Sequence, residues 1–113
     1  MEIFDFLASR EKYFKDYKSY AKILKETAKK VLKDEKVKVL VFGSVVENDF
    51  TLSSDIDVLV ISDKSPRKGI KRGKVLSKLY SSIGESHPFE IHLVTRKDWE
   101  RWYKRFVKKF VEV

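Results

Sequence analysis

The sequence contains no cysteine. That excludes a disulfide framework and a thiolate metal site, and it makes the cytoplasm the simplest expected location. Glutamine is also absent and asparagine occurs once, at Asn48, while lysine and glutamate abound. Such a composition resembles that of thermophile proteins. There is no apolar run long enough to span a membrane. The opening stretch MEIFDFLASREKYF is acidic at Glu2 and Asp5 and does not read as a signal peptide. With 113 residues, no internal repeat and no linker, the chain is expected to form a single domain over residues 1–113.

Positive charge is present in excess: 25 Lys and Arg against 17 Asp and Glu, a formal net charge of +8. The excess favours an anionic partner such as a nucleotide, a nucleic acid or an acidic protein. A lysine-rich solvated surface accounts for part of it with no partner. Between Lys64 and Lys78 stand Arg67, Lys68, Lys71, Arg72 and Lys74 with no acidic residue. That run suits a phosphate-bearing ligand, an RNA backbone included, or the solvated face of a helix, and the helix face is the favoured reading.

Apolar periodicity divides the chain into elements. Tyr13, Tyr17, Tyr20, Ala21, Leu24, Ala28 and Val31 mark one face of a helix over about residues 10–33. KVKVLVFGS (Lys36–Ser44) and DIDVLVIS (Asp55–Ser62) read as strands. Pro66 suits a helix start, and a helix to Ser82 presents Ile70, Leu76, Leu79, Tyr80 and Ile83 inward before Gly84 stops it. FEIHLVT (Phe89–Thr95) is a third strand. Thr95 and Asp98 form a capping-box pattern opening a last helix, with Trp99, Trp102, Tyr103, Phe106 and Phe110 as its apolar stripe. The tyrosines and tryptophans read as packing residues rather than base-stacking platforms. The order is that of an α/β protein with a small sheet flanked by helices. The short connection between the first two strands favours an antiparallel or mixed sheet, because a parallel crossover needs about a dozen residues or more.

Chemistry concentrates in VFGSVVENDFTLSSDIDVLV, residues 41–60. Strand alternation puts Asp55 and Asp57 on one face and Ile56, Val58 and Val60 on the other. Two adjacent carboxylates repel, and burial makes this worse. A divalent cation between them resolves the conflict, Mg²⁺ being a hard ion that takes carboxylate oxygens together with substrate phosphates. A solvated, idle pair at a strand mouth is the plain alternative. Gly43 permits a sharp turn close to a ligand, and residues 44–48 suit a helical turn or a nest of N–H groups facing an anion, with Ser44 adding a hydroxyl. Alone, Gly43 reads as an ordinary turn and Ser44 as an N-cap. Glu90 interrupts the third strand and completes a three-carboxylate cluster if that strand adjoins the second; otherwise it is an outward charge. His92 shares its face as a partner able to orient a carboxylate. His87, before Pro88, reads as structural.

FGSVVEN…SSDIDVLV, with a third acid in a later strand, resembles the signature of the nucleotidyltransferases of the DNA polymerase β and kanamycin nucleotidyltransferase superfamily. The chain is similar over about Val37–Val94 to the minimal nucleotidyltransferases (MNT), which consist of the catalytic domain alone. The resemblance implies a small mixed sheet flanked by helices. Gly43 and Ser44 would hold the triphosphate of ATP or another nucleoside triphosphate. Asp55, Asp57 and Glu90 would bind Mg²⁺, usually as two ions, and Glu90 would help to deprotonate the acceptor. The implied reaction moves a nucleoside monophosphate, AMP if ATP is the donor, to a hydroxyl. Minimal members often act as antitoxins beside a small helical HEPN-type toxin. Three places depart from the family pattern. Val45, Val46 and Glu47 stand where many relatives have an arginine, Asn48 stands where they have a glycine, and Glu90 replaces a common aspartate. Lys64, Arg67 and Lys68 are candidate substitutes for the arginine. The contrasting reading is a binding module that keeps the fold, has lost the chemistry, and docks on a protein or nucleic acid.

Overall fold

The computed structural model describes residues 3–84 and 86–113; Glu2 lies outside them. The elements are α1 (Ile3–Lys15), α2 (Tyr17–Leu32), β1 (Lys38–Phe42), β2 (Ile56–Ile61), α3 (Gly69–Ser82), β3 (Phe89–Val94), α4 (Arg96–Arg101), a 3₁₀ turn (Tyr103–Arg105) and β4 (Phe110–Glu112). Among the described residues four strands form one mixed sheet in the order β3-β2-β1-β4. β1 runs antiparallel to both β2 and β4, and β2 runs parallel to β3. The expected α/β class, with a small mixed sheet flanked by helices, is the observed one.

The sheet has two unlike faces because each strand alternates. Val39, Val41, Ile56, Val58, Val60, Phe89, Ile91 and Leu93 point to one side, where α2 and α3 cover them with Ala21, Leu24, Ala28 and Leu79 in the main core. Leu40, Leu59, Ile61 and Val94 point to the other side, where Val107 and the partly buried Trp99 and Tyr103 form a smaller cluster. The second face is thus roofed at one end only, and the site lies at the open end.

Three expectations need correction. The helix over residues 10–33 is two helices, broken at Asp16, whose C=O accepts from Ser19 and Tyr20 and so opens α2. Aspartate is a poor interior helix residue because it competes for backbone groups, which suits it to such a junction. The last helix stops at Arg101; its capping box at Thr95 and Asp98 is present, but Phe110 belongs to β4. Phe-Val-Glu-Val suits a strand as well as a helix, and pairing with the free edge of β1 decides the outcome. Ile70, expected inside, is 79% exposed in the first turn of α3.

Candidate active site

The parallel register of β2 and β3 sets Asp57 beside Glu90 and Leu59 beside His92. Asp57, Glu90 and His92 therefore share the open face. Their ligand-type atoms all lie within 4.8 Å of one another. His92 Nε2 stands 3.5 Å from Asp57 Oδ1, yet it is buried with no hydrogen-bond partner among the described residues. The imidazole is wedged between Phe42 and Tyr103, with ring centroids 5.6 and 6.4 Å away. Two carboxylates this close repel unless a cation lies between them. The donor set fits a hard divalent ion such as Mg²⁺ or Mn²⁺ through its carboxylates, and the orphaned imidazole nitrogen adds a donor more congenial to Mn²⁺. Glu90 is solvent-exposed, whereas Asp57 and His92 are half-buried.

Asp55 stands apart from this group. It immediately precedes β2, its side chain is 63% exposed, and Oδ1 lies 4.0 Å from the Arg10 guanidinium. Arg10 is itself buried on α1 and donates to the carbonyls of Leu52 at 2.7 Å and Ser54 at 2.6 Å. Phe50 stacks on Phe14 of the same helix, ring centroids 5.0 Å apart. Helix α1 thus fastens the β1–β2 loop and sets where Asp55 enters the strand. Sequence reasoning missed Arg10. The signal was present: an arginine one helical turn from Phe14 and on the same stripe as Tyr13 and Phe14, where a solvated charge does not belong.

Gly43 ends β1 with φ +86, and its backbone lies directly against Asp57. The chain then turns tightly, with the amides of Val46 and Glu47 both donating to Gly43 C=O and Asp49 N–H donating to Ser44 C=O. Asn48 adopts φ +57, the left-handed conformation a glycine would supply. Val45 is buried in the main core, so no charge can stand there, and Glu47 is exposed. Two of the three candidate substitutes for the missing arginine are engaged elsewhere: Lys64 Nζ donates to Lys33 C=O at 2.6 Å and Arg67 pairs with Asp98 at 3.8 Å. Lys68 stands at the N-cap position of α3, where its side chain makes no capping hydrogen bond.

Two cavities flank α4 and the turn after it. The larger, about 450 Å³, is lined by Arg67, Arg72, Asp98, Trp102 and other residues beside the end of β3. Its charges are already satisfied, because Arg72 donates to the carbonyls of Pro66 and Leu93 and Arg67 faces Asp98. The smaller, about 280 Å³, opens beside Gly43 and is lined by Phe42, Glu47, Phe106, Val107, Lys108 and Lys109. The smaller one adjoins the Asp57–Glu90–His92 group through Gly43, which lies against Asp57.

Residues 20–112 match the family model described as "Nucleotidyltransferase domain". One solved structure, described provisionally as a nucleotidyltransferase, is 31% identical, with 81% of this chain and 95% of that chain covered and a TM-score of 0.55. A second, from Sulfolobus solfataricus and described in the same provisional terms, is 21% identical over 83% of this chain and 78% of that one, with a TM-score of 0.52, and carries the likeness of fold alone. No curated protein matches the chain. Among the described residues no helix is long and apolar enough to cross a membrane.

Proposed function

Because the chain belongs to the nucleotidyltransferase domain family, we propose that it is a minimal, divalent-cation-dependent nucleotidyltransferase that transfers AMP from ATP to a hydroxyl acceptor. The observation that carries this reading is the contact of the Gly43 turn with Asp57, which is itself paired with Glu90 across β2 and β3. A phosphate-binding turn and a carboxylate pair on one sheet end are what transfer to a nucleophile requires, since positioning and charge neutralisation supply most of phosphoryl-transfer catalysis.

The roles follow from placement. The Gly43–Ser44 turn offers backbone N–H groups and the Ser44 hydroxyl to the triphosphate. Asp57 and Glu90 would hold the cation, Mg²⁺ or Mn²⁺, and Asp55, exposed and two residues upstream beside Arg10, is the further carboxylate at this end of β2. The bound ion would neutralise phosphate charge and polarise the α-phosphate oxygen. Glu90, the solvent-facing carboxylate, accepts the proton of the attacking hydroxyl. Attack at the α-phosphorus forms the new P–O bond, and the bond to the pyrophosphate leaving group breaks. The acceptor in this proposal is a hydroxyl side chain of a small helical HEPN-type partner, the protein acting as its antitoxin. The exposed Trp102, Phe106 and Phe110 beside the site supply an apolar surface for such a partner.

One observation favours the second reading, a docking module without chemistry: Glu47 places negative charge at the cleft where phosphates would lie. Labelling separates the two. With Mg²⁺, α-labelled ATP and a purified HEPN-type partner, an enzyme labels the partner and releases pyrophosphate. Asp57→Ala and Glu90→Gln should each reduce labelling by about 10²-fold or more, the usual order for loss of a preorganised electrostatic group. A protein that binds no nucleotide but captures its partner equally well with Asp55 and Asp57 replaced is the docking module.

A further inference from the structure

We infer that Lys108 and Lys109 form the cationic anchor for the β- and γ-phosphates of the donor nucleotide, in place of the arginine missing after the Gly43–Ser44 turn. The inference rests on the proposed function and assigns phosphate contacts to a segment outside the Gly-Ser and Asp-x-Asp stretches. The register places it. β1 and β4 pair with Phe42 opposite Phe110 and Val41 opposite Val111. The ladder ends at the Phe42–Phe110 pair, and Lys108 and Lys109 are the two residues that lead into β4 just beyond it. The cleft confirms the placement, for both lysines line it together with Gly43.

The side chains are available for a ligand. Lys108 and Lys109 are exposed, and among the described residues neither ammonium is held in an ion pair. Glu47 lines the same cleft without pairing to them. Lysine is a compact point charge on a flexible stem, suited to following phosphates without the fixed fork of arginine. Phe42 and Phe110 lie on the open face with Asp57, because paired residues point the same way. The cleft that Lys108 and Lys109 line opens beside Phe42 and Gly43, and Gly43 adjoins Asp57, so phosphates held there lie next to the carboxylates, with the α-phosphate toward Asp57 and Glu90 and the leaving pyrophosphate toward the lysines. Glu47 opposes this field and weakens it.

Calorimetric titration with ATP, AMP and inorganic tripolyphosphate, each with Mg²⁺, tests the inference. The Lys108→Ala/Lys109→Ala protein should bind ATP and tripolyphosphate about tenfold or more weakly, at the lower end expected for charge-assisted contacts near solvent. AMP, with one phosphate, should change less. Glu47→Gln should tighten tripolyphosphate binding, and Lys71→Ala/Lys74→Ala on α3 should leave it unchanged. Wild-type affinity for tripolyphosphate should fall steeply with added salt, a readout that needs no variant. A double variant that binds ATP as the wild type does overturns the inference and leaves the proposed function standing. Wild type that binds tripolyphosphate through the lysines but not ATP keeps the anchor and defeats the proposed function. Wild type that binds neither defeats both.

Discussion

Gly43 and Asp57 adjoin so closely that a Cβ on residue 43 would lie 2.5 Å from Asp57 Oδ2. Residue 43 also has φ +86, a conformation that L side chains rarely adopt. Both facts tie the end of β1 to the carboxylate across the ladder, since Phe42 pairs with Asp57. Gly43→Ala should therefore cost about 1–3 kcal/mol of stability, the usual range for a strained backbone conformation. It should also push the Asp57 carboxylate from its place and lower activity more than the stability loss explains. Urea titration alongside the labelling assay measures both. A variant with wild-type stability and activity would show that the close approach has no role.

Arg10 governs the other aspartate. Its guanidinium donates to the carbonyls of Leu52 and Ser54 and lies 4.0 Å from Asp55. Arg10→Met keeps much of the apolar stem and removes the donors, leaving two partly buried carbonyls without partners. The expected loss is about 1–3 kcal/mol for a buried group left unsatisfied. Nucleotide transfer should fall while partner capture is retained. Arg10→Lys should restore part of the stability, since one ammonium can serve one carbonyl well. If Arg10→Met transfers AMP at the wild-type rate, α1 does not position Asp55.

Much of this arrangement is written locally. The alternation of IDVLV, the glycine after VLVF and the Thr95–Asp98 capping box each specify structure within a few residues, and each appears where the pattern puts it, whereas Asp55, expected in the strand beside Asp57, precedes β2 and faces Arg10. Glu90 and Asp57 were expected to meet if their strands adjoin, and the β2–β3 register joins them. What could not be read was decided between distant segments. Phe110 fits a helical stripe or a strand, and only the unpaired edge of β1 selects the strand. Arg10 contacts a loop more than forty residues away, and the service of Lys108 and Lys109 to the Gly43 cleft depends on β4 existing at all.

Cation binding should be visible in stability without any turnover. Asp57 and Glu90 face each other at ligand distance, so a divalent ion that binds the folded protein stabilises it by mass action. At a cation concentration tenfold above Kd the gain is about 1.4 kcal/mol, which is roughly 5–10 °C in Tm for a domain of this size. Asp57→Asn should raise Tm slightly in chelator, because it relieves repulsion, and should lose most of the shift on adding Mg²⁺ or Mn²⁺. Equal shifts in the two proteins would place the cation elsewhere.

The last expectation concerns pH and lies away from the carboxylates. The His87 ring is half-buried, stacks on Tyr80 with centroids 5.2 Å apart, and accepts from Phe89 N–H at Nδ1 over 3.2 Å. Burial lowers its pKa below 6.5 and the positive charge of Arg10 lowers it further, outweighing a backbone hydrogen bond that acts the other way. The folded protein thus binds this proton less readily than the unfolded chain. The stabilisation is fully present above the unfolded value of about 6.5 and is lost as pH falls from there toward the folded pKa. Asp34 and Asp98 act in a different window. The Ser62 hydroxyl and the Lys36 amide hold Asp34 below 3.8, while at Asp98 a burial penalty is outweighed by the Thr95 hydroxyl and amide together with Arg67 and Lys97. Both carboxylates therefore contribute stability that disappears only in stronger acid. Urea midpoints measured between pH 7 and pH 5 should fall for the wild type. For His87→Asn, which removes the titrating ring next to β3, they should start lower and fall less. A wild-type midpoint that rises on acidification through this range would mean that the ring gains a proton on folding rather than resisting one.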